Sequence, residues 1–106
     1  MFDDISLYDR LALMIQGFAC RHTQRLWIER QIGRFPPDLA ERALAKMAQL
    51  DAAGRLNDLR VPPSNHLEAL KGDRKGQHSL RVNGQWRLCF VWTAAGPAGI
   101  ELIDYH

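Results

Sequence analysis

The residues best suited to chemistry lie in the last third of the sequence. Residues 71–87 carry five Lys or Arg against a single Asp, and the chain ends Asp104-Tyr105-His106. The paired N–H donors of an arginine can grip phosphate oxygens and stabilise negative charge that builds on phosphorus. Histidine transfers protons near neutral pH, and tyrosine can stack on a base. Together these residue types predict a phosphate site with a titratable group beside it.

RNA is a substrate that such a site could cleave without further help, because the 2′-OH of RNA can itself attack the phosphorus. The sequence contains no HExxH-type metal spacing, and Cys20 and Cys89 form no CxxC pair. We therefore predict no metal and no cofactor. On residue types alone, two other interpretations stay open: the basic segment could be a solvated loop, and a C-terminal histidine could be a free surface group.

Length and composition limit the possible classes of protein. A chain of 106 residues allows one domain, and its two cysteines predict a reducing, cytoplasmic setting. No apolar run approaches the roughly 18 residues of a membrane span, so no membrane contact is expected. The N-terminal residues are acidic where a secretory signal would be basic, which makes export an unfavoured interpretation.

The order of the expected elements indicates an α+β fold. Helical patterns at about 23–33, which Thr23 could cap, and at 37–53 predict an N-terminal helix hairpin. Short strands are expected at 66–70, 78–82, 85–93 and 99–105, and the hairpin should pack on one face of this small antiparallel sheet. Residues 1–13 are interpreted as a leader or short helix before a domain at 14–106, and residues 14–18 could form a first strand.

The turn at Asn83-Gly84 decides which way the arginines face. A two-residue turn would place the apolar residues of the flanking strands on opposite faces of the sheet. A three-residue loop, Val82-Asn83-Gly84 with a left-handed glycine, pairs Arg81 with Gln85 and gathers the apolar residues on one face. We therefore expect Arg81 and Arg87 to share the open face with Ser79, and Trp86 and Trp92 to belong to the core.

Two segments, LEALKGDRKGQHSLRVNGQWRLCF and the terminal IELIDYH, carry a resemblance to a known family. They resemble the HigB-type toxins of bacterial toxin–antitoxin systems, within the RelE superfamily, and the likeness runs from about residue 14 to residue 106. It implies a RelE-like fold and a metal-independent, ribosome-dependent endoribonuclease that cuts mRNA and inhibits translation. It also implies a helix-turn-helix antitoxin of the HigA type, usually encoded just downstream, through which the complex contacts operator DNA.

The resemblance also implies roles for individual residues. The active site would comprise Lys71, Arg87, Asp104, Tyr105 and His106. Contacts to ribosomal or messenger RNA would come from Arg74, Lys75 and Arg81.

One position departs from the family pattern. Some of these toxins carry a histidine where this chain has Glu68, and a carboxylate there repels phosphate unless it is protonated or paired. His66 should share a face with Glu68 on an extended strand and could take over the role. Two other functions stay open: a catalytically weak RNA- or ribosome-binding corepressor, and an interaction protein whose basic face docks an acidic antitoxin segment.

Overall fold

The structure, a computed structural model, describes residues 14–105 as two helices followed by a four-stranded sheet. The helices are α1 (Arg21–Glu29) and α2 (Pro37–Ala52), and three short 3₁₀ turns cover Leu56–Arg60, Pro63–Asn65 and Gly72–Arg74. The strands are β1 (Glu68–Ala69), β2 (His78–Arg81), β3 (Trp86–Thr93) and β4 (Gly96–Asp104). The predicted α+β class is confirmed, whereas the predicted leader and His106 lie outside the described residues.

Helix α2 supplies most of the helical contribution to the core. Pro37 occupies its first turn, where a missing N–H leaves no hydrogen bond unmade, and Asp38 lies near the positive end of the helix dipole. The predicted apolar stripe is buried, with Leu39, Met47 and Leu50 each at most 3% exposed. Burying one such side chain contributes about 1.5–3 kcal/mol, so this stripe fixes the helix against the sheet.

Helix α1 begins earlier and ends earlier than the sequence predicts. Thr23 does not cap it but lies buried in its first turn, where its hydroxyl accepts a hydrogen bond from Leu102 N at 3.0 Å. The helix ends before Arg30, whose backbone is left-handed with φ 57° and whose N–H bonds Arg25 O. The threonine therefore joins α1 to β4 instead of satisfying the helix end.

The sheet is an antiparallel meander in the order β1-β2-β3-β4. Leu80 lies opposite Leu88, and Arg81 lies opposite Arg87. The connecting loop spans residues 83–85, closed by a hydrogen bond from Val82 N to Trp86 O at 2.9 Å. The predicted pairing of Arg81 with Gln85 is therefore wrong by two residues, and no left-handed glycine occurs in this loop.

The predicted division of the sheet into two faces is nevertheless correct. A shift of two residues preserves which side each residue faces, because side chains alternate along a strand. Leu80, Leu88 and Phe90 are fully buried against the helices, and Trp86 and Trp92 pack at the border of that core. The opposite side, called here the open face, is defined by Glu68, Ser79, Arg81, Arg87, Cys89, Glu101 and Ile103.

Residues 14–19 run alongside β4, close to the predicted first strand. Gln16 N donates to Pro97 O at 2.8 Å, Ala19 N donates to Ile100 O at 3.0 Å, and Phe18 forms a parallel bridge with Ile100. The segment makes a single bridge and is not a regular strand. No helix within the described range 14–105 is long and apolar enough to cross a membrane.

A pair of glycine variants tests how closely residues 14–19 pack on β4. Gly96 and Gly99 both have positive φ, +125° and +58°. A Cβ at Gly96 would clash with the Met14 carbonyl and would lie 2.9 Å from Met14 N, whereas a Cβ at Gly99 would meet no atom within 4 Å. We expect Gly99→Ala to lower the free energy of unfolding by about 1–2 kcal/mol through backbone strain, and Gly96→Ala to lower it further. Urea unfolding measures both, and equal losses would contradict the close packing.

Candidate active site on the open face of the sheet

The open face is organised around Arg87 in the middle of the sheet. Its Nε donates to Ser79 Oγ at 2.8 Å, and its Nη2 donates to the His66 carbonyl oxygen at 2.6 Å. Only 12% of this side chain is exposed. The two hydrogen bonds come from different elements, β2 and the turn before β1, so they fix both the position and the plane of the guanidinium.

Glu68 forms an ion pair with Arg87 across 3.5 Å, from Oε1 to Nη2. The carboxylate side chain is 58% exposed, so the pair is screened by water on one side. Because water reaches the carboxylate, an incoming phosphate can approach Arg87 and displace Glu68 from it. The sequence indicated that a carboxylate here would repel phosphate unless it is protonated or paired. Glu68 is paired.

His66 does not take up the position that the sequence predicts for it. Its backbone is left-handed, with φ 44° and ψ 57°, and it ends the 3₁₀ turn at residues 63–65 instead of lying on an extended strand. The expectation that it shares a strand face with Glu68 is therefore wrong. Its carbonyl oxygen, which holds Arg87, is the group that it contributes to the site.

Tyr105 follows β4 and covers part of the open face. Its hydroxyl lies 3.9 Å from Cys89 Sγ, and its ring centroid lies 5.9 Å from Arg87 Cζ. Burial raises the pKa of Tyr105, the neighbouring Cys89 raises it further, and the cations of Arg87 and Arg74 oppose the shift. The phenol therefore stays protonated over the physiological range and acts as a neutral hydrogen-bonding and stacking group.

Cys89 lies on the open face yet is fully buried. Burial raises the pKa of this thiol, against the opposing effects of the Tyr105 hydroxyl and of the Arg74 and Arg87 cations. A raised pKa keeps the sulfur in its weakly nucleophilic thiol form. We therefore assign Cys89 a packing role beneath Tyr105. Cys89 follows Arg87 by two residues on β3, so the alternation of side chains along a strand could have predicted from sequence that both share the open face.

Arg74 is tied to the open face by two contacts. Its Nη1 donates to Gln77 Oε1 at 3.1 Å and lies 3.6 Å from Glu101 Oε1. Glu101 was not singled out from the sequence, although it pairs in register with Cys89. Arg74 and Arg87 are thus each balanced by one carboxylate.

Lys71 and Lys75 flank the 3₁₀ turn at residues 72–74 and are exposed. Their ammonium groups make no hydrogen bond or ion pair with any residue between 14 and 105. Both ammonium groups are therefore accessible to an anion, and their phosphate and RNA roles stay predictions.

Two predicted site residues lie away from Arg87. Asp104 pairs in register with Trp86, on the opposite face at the sheet border, and accepts a hydrogen bond from Gln85 Nε2 at 3.0 Å. Arg81 starts from the open face, but its Nε donates to Asn83 O at 3.2 Å, and the residue is among those that line a cavity beside α2. His106 belongs to the part of the chain that the structure does not describe.

The contacts gather Arg87, Tyr105 and Arg74 on one side of the sheet, where the two guanidinium groups can bind phosphate. Within residues 14–105, no group of three His, Cys, Asp or Glu is placed to hold a metal ion. The chemistry that these side chains offer is electrostatic stabilisation of a phosphorane, with a stacking surface for a base.

Comparison with known proteins gives a family match over most of the chain. Residues 17–106 match the family described as the HigB-like toxin, a RelE-like toxin of type II toxin–antitoxin systems. The protein named Toxin HigB-1 of Vibrio cholerae serotype O1 is 50% identical over 74 residues, which cover 69% of this chain and 77% of that protein. An uncharacterized protein of Haemophilus influenzae is 39% identical over 59 residues, covering 56% of this chain and 58% of that protein.

The environment of Tyr105 predicts a measurable change in its titration. In a Tyr8→Phe background, which leaves one tyrosine, we expect the phenol to ionise above the ordinary tyrosine pKa of about 10 because it is partly buried beside Cys89. Ultraviolet absorbance of the phenolate against pH measures this, and Cys89→Ala should lower the pKa towards the ordinary value.

Stability should change in step with that titration. The pKa of Tyr105 is higher in the folded protein than in the unfolded chain. Its contribution to the free energy of unfolding is therefore fully present below about pH 10 and is lost as the pH rises through the folded-state pKa. Titration of Tyr105 at or below the value of free tyrosine would contradict the observed contacts.

Proposed function

This chain belongs to the HigB-like family of RelE-like toxins of type II toxin–antitoxin systems, and from that premise we propose that it is a ribosome-dependent mRNA endoribonuclease. It acts in the cytoplasm without a metal, and cleavage of mRNA inhibits translation. The observation that carries the proposal is the largely buried side chain of Arg87, whose guanidinium is held on two sides and forms an ion pair with the half-exposed carboxylate of Glu68.

The reaction proceeds by attack of the RNA 2′-oxygen on the adjacent phosphorus. The new O2′–P bond forms as the bond from phosphorus to the 5′-oxygen breaks, which leaves a 2′,3′-cyclic phosphate and a 5′-hydroxyl. One proton leaves the 2′-OH and one reaches the departing oxygen. We assign to His106 the transfer of a proton to or from these oxygens, and Asp104 would orient its imidazole from the sheet border, where that carboxylate lies.

Arg87 and Lys71 stabilise the charge of the phosphorane during this attack. The guanidinium is already oriented by Ser79 and His66, so little reorganisation is needed when phosphate displaces Glu68. Tyr105 stacks on a base and positions the nucleotide. Its raised pKa keeps it neutral, so it does not repel the RNA.

Contacts to ribosomal and messenger RNA come from Lys75, Arg74 and Arg81. Lys75 offers an exposed ammonium after the 3₁₀ turn that Lys71 precedes, whereas Arg74 exchanges Glu101 for phosphate. Arg81 is the outlying member of this set, since its side chain bonds Asn83 O in the loop after β2. The antitoxin partner is of the helix-turn-helix HigA type and brings the complex to operator DNA.

A second function is favoured by one specific observation, the carboxylate of Glu68 next to Arg87. A carboxylate beside the phosphate site lowers the affinity for RNA if it stays in place. The chain would then act mainly as an RNA- or ribosome-binding corepressor with its antitoxin. Growth after induced expression separates the two functions. An active endoribonuclease should arrest growth by itself, and a corepressor should not.

Substitution of Arg87 tests the proposed chemistry. We expect Arg87→Ala to abolish growth arrest and to slow mRNA cleavage on purified ribosomes by about 10²–10³-fold, the loss typical of a removed charge-stabilising donor. Arg87→Lys keeps the charge without the planar fork and should fall between the two. Arg55→Ala, at an arginine whose side chain is 82% exposed, is the matched control and should behave as wild type.

The chemistry of the product ends provides a separate check on that experiment. Fragments should carry 5′-hydroxyl ends that a kinase can label directly. Fragments with 5′-phosphate ends would rule out attack by the 2′-OH. Wild-type cleavage by a folded Arg87→Ala protein, with folding verified by circular dichroism, would remove Arg87 from the mechanism.

Substitution of Glu68 separates an active toxin from a weakened one. We expect Glu68→Gln to strengthen RNA binding by about two- to fivefold at low salt, with the gain shrinking as salt screens the carboxylate. Fluorescence anisotropy with a short RNA measures this, and Glu29→Gln, at an exposed residue of α1, is the control. A slower cleavage rate with unchanged RNA affinity would instead mean that Glu68 takes part in the chemistry.

A further inference from the structure

A cavity of about 380 Å³ lies away from the open face, between α2, the loop after β2 and the turn at residues 63–65. We call this cavity the α2 pocket. Three cationic residues line it: Arg42 and Lys46 from α2, and Arg81 from the end of β2. Arg42 and Lys46 are four residues apart, so they project from the same side of the helix. No Asp or Glu is among the lining residues.

The wall of the α2 pocket is held in place by a buried polar network. Asn65, fully buried, accepts a hydrogen bond from Lys46 Nζ at 2.5 Å. Its Nδ2 donates to Gln49 Oε1 at 2.9 Å and to Leu59 O at 3.1 Å. This network uses one of the three ammonium donors of Lys46 and fixes where the charge sits. Partial burial lowers the pKa of Lys46, and an anion bound in the pocket would favour its charged form.

The surroundings of the pocket distinguish between two kinds of anionic ligand. A second cavity shares Arg42 and Asn83 with it, and the acidic residues Asp38 and Glu41 are among the residues that line this second cavity. A polynucleotide crossing the pocket would carry its next phosphates towards these acids. A single carboxylate on a peptide would not meet this repulsion, and Ala45 and Val82 provide apolar surface for the side chain beside it.

We propose that the α2 pocket docks an acidic, partly apolar segment of the antitoxin. A carboxylate of that segment pairs with Arg42 and Lys46, and an adjacent apolar side chain contacts Ala45 and Val82. The proposal rests on membership of the toxin family, not on RNA cleavage.

The test compares Arg42→Glu with Arg25→Glu in the full-length chain. Arg25 lies exposed on α1, so both variants make the same change in charge on helical surfaces. The probe is the protein encoded immediately downstream, and its Kd is measured by calorimetric titration. We expect Arg42→Glu to raise that Kd about tenfold or more, mainly through faster dissociation, and Arg25→Glu to leave it unchanged.

Growth assays separate this proposal from the proposed function. Arg42→Glu should still arrest growth alone, but co-expression of the downstream protein should no longer relieve the arrest. An unchanged Kd would overturn the proposal. Loss of arrest by a folded Arg42→Glu protein would also overturn it, because the pocket would then serve RNA. If wild type causes no arrest, the endoribonuclease proposal fails while the titration still decides the pocket.

A charge exchange identifies the contact directly. Reversal of the contacting Asp or Glu of the downstream protein to Lys should weaken binding to wild type and restore binding to Arg42→Glu. Failure of every such reversal to restore binding would overturn the proposed ion pair.

Discussion

The two-residue alternation along β2 and β3 is the constraint on which the rest of the molecule depends. The helices must be covered by an unbroken apolar surface, and Leu80, Leu88 and Phe90 provide it from one side of the sheet. The other side is thereby left for polar groups, and Ser79 and Arg87 meet there as neighbours on adjacent strands. The position of the candidate site is therefore a direct consequence of how the core is built.

This alternation explains which features could be predicted from sequence. The hydrophobic pattern determines the face of each residue, so the open face was predicted although the register was two residues out. A shift of two residues leaves this pattern unchanged. The predicted loop at 82–84 and the observed loop at 83–85 differ only in local turn chemistry, which the hydrophobic pattern does not determine. The apolar stripe of α2 was predictable for the same reason, because its period is regular over four turns.

Features that depend on side chains meeting across elements were not predictable. Thr23 has the residue type of a helix cap, but the Leu102 N–H competes for its hydroxyl. Arg81 and Arg87 start from the same face and carry the same charge. Arg87 nevertheless donates to Ser79 on that face, whereas Arg81 donates to the Asn83 carbonyl oxygen in the loop. The ion pair of Glu68 also required the structure, because the partner is 19 positions away and on a strand that is not adjacent.

The contact of residues 14–19 with β4 has a consequence for how the sheet meets other chains. A strand at the border of a sheet exposes unpaired N–H and C=O groups that invite another strand to add on. Here residues 14–19 occupy those groups along part of β4, and the opposite border is β1, which is only two residues long. Within residues 14–105 the sheet thus offers little backbone for β-augmentation or fibrillar stacking, so association through its side chains is favoured over association through its backbone.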